Sequence, residues 1–95
     1  MKMYTIGYGV TTVAEFLERL KELPVGTIIV DVRKLGSHSR SELESLLYFI
    51  RDNRRPICLL CAERKPFRPN GKPNCHRVII AEELAKWLNC EVVHL

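Results

Sequence analysis

Cys61 and Glu63 close the apolar run Leu59-Leu60-Cys61-Ala62-Glu63, and Cys75, His76 and Arg77 follow a basic, proline-rich stretch. Thiol, carboxylate, imidazole and guanidinium are the side chains of nucleophilic attack, proton transfer and anion binding. Read as an enzyme, Cys61 is the nucleophile. His76 and Arg77 favour its thiolate, Glu63 or His76 moves the proton, and Arg77 holds an anion. The plainer reading makes Cys61 a small buried hydrophobe at a strand end. A disulfide between Cys61 and Cys75 is a third reading, open if their Cα atoms come within about 7 Å.

Zinc is the fourth. Cys58 and Cys61 have a knuckle-like spacing, but Leu59 and Leu60 put them on a strand, where an i, i+3 pair points to opposite faces. Cys61, Cys75 and His76 could form only part of a metal site, so no metal is assigned. No cofactor is indicated.

These groups need elements that bring them together. Met3–Ile6 reads as a strand closed by Gly7-Tyr8-Gly9. Thr12 and Glu15 make a capping box, with Val13, Phe16, Leu17 and Leu20 on one helical face. Leu23-Pro24-Val25-Gly26 breaks that helix. Thr27–Val32 is a β-branched strand, and Ser41–Glu44 caps a second helix carrying Leu43, Leu46, Leu47 and Ile50. Pro56–Cys61 is a third strand. Residues 62–74, with three prolines and a glycine, are irregular. A third helix runs from about Cys75 to Leu88, burying Val78, Ile79, Ala81, Leu84, Ala85 and Leu88, with Trp87 read as packing. Glu91–Leu95 is the last strand.

The order β-α-β-α-β-α-β predicts an α/β fold: one small three-layer domain over residues 1–95, with three helices on a four-stranded, mainly parallel sheet. Ligands of such sheets sit at the carboxyl ends of the strands. Gly7, Tyr8, Asp31, Arg33, Cys61, Glu63, Cys75, His76, Arg77 and His94 all fall at that rim. Asp31 and Arg33 share a face and suit a ribose hydroxyl and a phosphate, or a rim ion pair. Gly7 and Tyr8 would let an anion approach the backbone. His94 is a rim ligand or a terminal group, and His38 is solvated.

Ninety-five residues make one domain with little stability in reserve. Four cysteines, the absence of a signal-like segment and the absence of a long apolar run predict a cytoplasmic protein without a membrane partner. The lack of Gln and the wealth of Lys, Arg and Glu fit a thermophile. The net charge is +4, and eight cations against two acids fall between Arg51 and Arg77. An anionic small molecule is the expected partner, with nucleic acid second because aromatic platforms are missing. A solvated loop is the competing account. A sheet this small also leaves surface that a homodimer would cover.

In this order, Tyr4-Thr5-Ile6-Gly7-Tyr8-Gly9, Val30-Asp31-Val32-Arg33, Leu59-Leu60-Cys61-Ala62-Glu63, Cys75-His76-Arg77 with Ala81-Glu82, and Val92-Val93-His94-Leu95 resemble the motifs of the DUF488 family, which has no assigned function. The resemblance covers nearly the whole chain and implies the α/β fold and the rim site. Two features depart from it. One helix replaces the family's long insert after Asp-Val-Arg, and the loop from Cys61 to Cys75 is longer and more basic. The rim is also similar to that of rhodaneses and cysteine phosphatases, although Arg77 lies far beyond their tight cradle.

The expected function is therefore a domain that binds a phosphate-bearing or nucleotide-type anion. The alternatives are a thiol enzyme using Cys61, and a structural or interaction domain with a Cys61–Cys75 staple.

Overall fold

Strands and helices alternate as β1 (Lys2–Gly7), α1 (Val13–Leu20), β2 (Ile28–Asp31), α2 (Arg40–Asn53), β3 (Ile57–Cys61), α3 (His76–Leu88) and β4 (Glu91–His94). The computed structural model describes residues 2–9, 11–32, 40–63, 65–74 and 76–95. Arg33, His38, Arg64 and Cys75 lie outside the described residues.

The sheet is parallel throughout, in the order β2-β3-β1-β4. The connection from β1 to β2 steps one way along the sheet. Those from β2 to β3 and from β3 to β4 step the other way. With right-handed crossovers, α2 and α3 share one face and α1 lies on the opposite one. The contacts of α3 with α2, β1, β3 and β4 agree.

Alternation along the strands puts Met3, Ile57 and Leu59 toward α2 and α3. There they join Leu46, Leu47, Ile50, Ile80 and Leu84 in the buried core. Each large aliphatic side chain fully buried there contributes about 1.5–3 kcal/mol.

The helices depart from the expected pattern in three places. Thr12 caps α1 as expected, its hydroxyl accepting the Glu15 N–H at 3.1 Å. Yet α1 buries no residue, and Val13 and Leu17 are 77% and 52% exposed. Only Phe16 and Leu20 of the expected stripe turn partly inward, Phe16 meeting Tyr8 edge-on at 6.5 Å. α2 starts at Arg40, so Ser41 sits inside the first turn instead of capping it.

In α3 the inward stripe is Arg77, Ile80, Ala81, Leu84 and Leu88, at i, i+3, i+4, i+7 and i+11. Ile79 and Trp87 are exposed, against expectation, and the Trp87 indole donates to Glu83 at 3.3 Å. The stripe was hard to see because its first member is charged.

Helix ends matter below. α3 ends with Asn89 in the left-handed region (φ 52°), and the Cys90 N–H reaches back to the Ala85 carbonyl. Asn suits that position. α2 ends the same way, but the left-handed residue is Arg54, at φ 50°.

Candidate functional site

The connections leaving β1 and β3 run in opposite directions, and the two strands are neighbours. The crevice of an open α/β sheet lies at such a reversal, outside the carboxyl ends of the strands. Here that point falls between Gly7 and Cys61, which are paired across the sheet. The two chains stay together beyond it: the Tyr8 N–H donates to the Cys61 carbonyl at 3.2 Å and Gly9 N–H to the Ala62 carbonyl at 2.7 Å. These amides are therefore committed to the backbone. The Gly7 carbonyl accepts a guanidinium N–H of Arg19, on α1, at 2.6 Å. Glu63 is exposed just past the strand, and Asp31 ends β2, half-buried. His76 opens α3.

Beneath this rim lies a buried polar cluster. Arg77 is 0% exposed. Its guanidinium donates to the Thr5 hydroxyl at 3.1 Å and to the Leu95 carbonyl at 2.9 Å. Burial is the main cause that pushes its pKa down, with help from the Arg19 charge, to about 10. It is still fully charged at neutral pH.

Thr5 also lies 2.7 Å from His94 Nδ1. Arg77 can only donate, so the Thr5 oxygen accepts from it and the hydroxyl hydrogen is left for His94. Nδ1 is then the acceptor, and the neutral ring carries its proton on Nε2. His94 is paired with Thr5 across the sheet, below the rim, and is half-buried. Burial first, then the Arg77 charge, lowers its pKa, against a smaller opposing pull from Glu82.

A pH dependence follows. The unfolded chain takes up a proton at this histidine below about pH 6.5, before the folded chain does. Stability is therefore lost as pH falls through about 6.5. The urea midpoint should be lower at about pH 5 than at about pH 7.5, and His94→Asn should narrow the difference. An equal difference in the variant would remove His94 as its source.

The thiols differ sharply. Cys61 is buried and disulfide-bonded, so in this state it offers no thiolate. Cys58 and Cys90 are free. Burial, only partly offset by the Arg77 and Arg19 charges, pushes the Cys58 thiol up to about 11. Burial also raises that of Cys90. Iodoacetamide at about pH 8 should leave Cys58 unmodified in the native protein and label it after unfolding. Rapid native labelling of Cys58 would contradict its placement in the sheet.

Residues 65–74, expected to be irregular, form a small hairpin. Phe67 and Pro73 pair in an antiparallel bridge. The Arg68 N–H donates to the Lys72 carbonyl, Gly71 N–H to Arg68, and Asn74 N–H to Pro66. Gly71 supplies the left-handed residue of the turn (φ 82°). The Phe67 ring stands edge-on to His94 at 5.3 Å and so seats the hairpin on the buried cluster. Lys65, Arg68 and Lys72 are exposed on it.

Comparison with models of known families, with characterised proteins and with solved structures finds no match.

Gly7, Tyr8, Cys61 and Glu63 are brought together at the reversal point, with the start of α3 tied in by Arg77. His94 sits one layer deeper, against Thr5. Arg33 and Cys75 lie outside the described residues. Among the described residues, no group of three or more His, Cys, Asp or Glu could hold a metal. No described helix is long and apolar enough to cross a membrane.

Thr5 and Arg19 escaped the sequence reading. The signal for Thr5 was faint: one hydroxyl in an apolar strand. Arg19 looked like an ordinary last-turn cation.

Proposed function

We propose that this domain binds a phosphate-bearing small molecule at the carboxyl edge of its sheet and is not a thiol enzyme. The observation that carries the reading is the folded hairpin beside the Gly7–Cys61 reversal, with Lys65, Arg68 and Lys72 exposed on it. A structured loop loses less entropy when its cations close on an anion than a mobile one would. The disulfide at Cys61 supports the non-catalytic reading, since a bonded sulfur is no nucleophile. The burial of Arg77 supports it too, because that guanidinium already serves two internal acceptors.

Cys75 is proposed as the partner of Cys61, which makes the pair a staple from the end of β3 toward α3. Membership of the DUF488 family is proposed on the ordered motifs alone.

The reading is tested by titrating the protein with inorganic pyrophosphate at low and high salt, beside the triple variant Lys65→Glu, Arg68→Glu, Lys72→Glu. Saturable binding that weakens with salt and is lost in the variant is expected. Absence of binding, or binding indifferent to the three reversals, would sink the proposal.

A further inference from the structure

The basic segment does not stay together. Arg51, Arg54 and Arg55 lie at the opposite end of the sheet from the hairpin, where the strands begin. There they join Lys2 around a cavity of about 690 Å³. None of the described residues of its wall is acidic. Tyr4, Pro24 and Pro56 supply apolar surface. The volume falls within the roughly 300–1,000 Å³ of small-molecule sites.

The cations are held for something other than one another. The Arg55 Nε donates to the Gly26 carbonyl at 2.7 Å, which fixes the head and leaves both terminal nitrogens for a ligand. No ion pair neutralises Arg51, Arg54 or Arg55 among the described residues. Lys2 approaches Glu91 at 3.9 Å, but both groups are well exposed, so the pair is weak.

The negative end of the α2 dipole accounts for Arg51 in its last turn. It does not account for Lys2 on β1, nor for Arg54. Arg54 holds a left-handed conformation that glycine adopts freely and that α3 assigns to an asparagine. A side chain kept at a backbone cost points to a use for that side chain.

We propose that this cavity binds a nucleoside di- or triphosphate, a reading independent of the one at the carboxyl edge. The phosphates meet the arginine forks and Lys2, which suit bidentate recognition. The base lies against Tyr4 and the two prolines. One aromatic ring in a concave site fits a single nucleotide better than a strand of nucleic acid, which needs successive platforms.

Calorimetric titration of the whole chain with ATP, tripolyphosphate and adenosine tests this. ATP should saturate one site, tripolyphosphate should bind more weakly, and adenosine should give no measurable heat. Arg54→Glu with Arg55→Glu should weaken ATP by about tenfold or more, the loss of one charge-assisted contact. Arg54→Gly should weaken it severalfold without lowering the melting temperature, so a misfolded variant is not the cause. The Lys65, Arg68 and Lys72 reversals should leave ATP binding unchanged. An unsaturable ATP titration overturns the proposal, and so does binding that survives the Arg54 and Arg55 reversal. Equal affinity for tripolyphosphate and ATP overturns the nucleotide class. Binding removed by the hairpin reversals alone overturns the cavity and supports the carboxyl edge.

Discussion

Arg77→Ala should destabilise the domain by about 3–5 kcal/mol, the largest loss expected from any single side chain here. The guanidinium is fully buried and serves the Thr5 hydroxyl and the Leu95 carbonyl. Truncation strips both acceptors of a charged donor and leaves a void at the head of the α3 stripe. A domain of this size has only about 5–15 kcal/mol in total, so the variant should be mostly unfolded at modest urea.

Arg77→Met should cost less than Arg77→Ala. It refills the volume, and it also removes a charge whose burial was itself unfavourable. Urea midpoints measured under non-reducing conditions order the three proteins. A shift worth less than about 1 kcal/mol in Arg77→Ala would mean that the guanidinium is no anchor, and the anion-clamp role would return.

Reduction of the Cys61 disulfide should cost about 2–4 kcal/mol, by restoring freedom to the unfolded chain. Cys61→Ser should show the same midpoint as the reduced wild type, and reductant should have no further effect on it. Peptide mapping without reductant should return Cys61 linked to Cys75, with Cys58 and Cys90 as thiols. If reduction leaves the midpoint unmoved, the bridge is not a staple. Cys61 then deserves screening as a redox thiol. A cytoplasmic address and a disulfide are compatible chiefly in hyperthermophiles, so the redox state in the source cell bears on the same question.

Much of the architecture was legible in the chain. Continuous β-branched runs alternating with helical stripes leave few choices beyond a parallel sheet, because each apolar face must be covered. Thr12 announced its helix because capping is a local hydrogen bond, from the Glu15 N–H to a hydroxyl three residues away. The meeting of Gly7 with Cys61 followed from parallel strands sharing one carboxyl edge.

What the tertiary structure alone decided concerns charge. A guanidinium reads as a surface group until a hydroxyl 72 residues away and a carbonyl on another element are found waiting for it. No local pattern encodes that pairing, so Arg77 looked like a ligand clamp and its place in the core was hidden. The basic run from Arg51 to Arg77 looked like one patch because its members are close in sequence. β3 runs through the middle of it, and five extended residues carry the chain about 16 Å across the sheet. The strand therefore delivers Arg51, Arg54 and Arg55 to one end of the molecule and Lys65, Arg68 and Lys72 to the other.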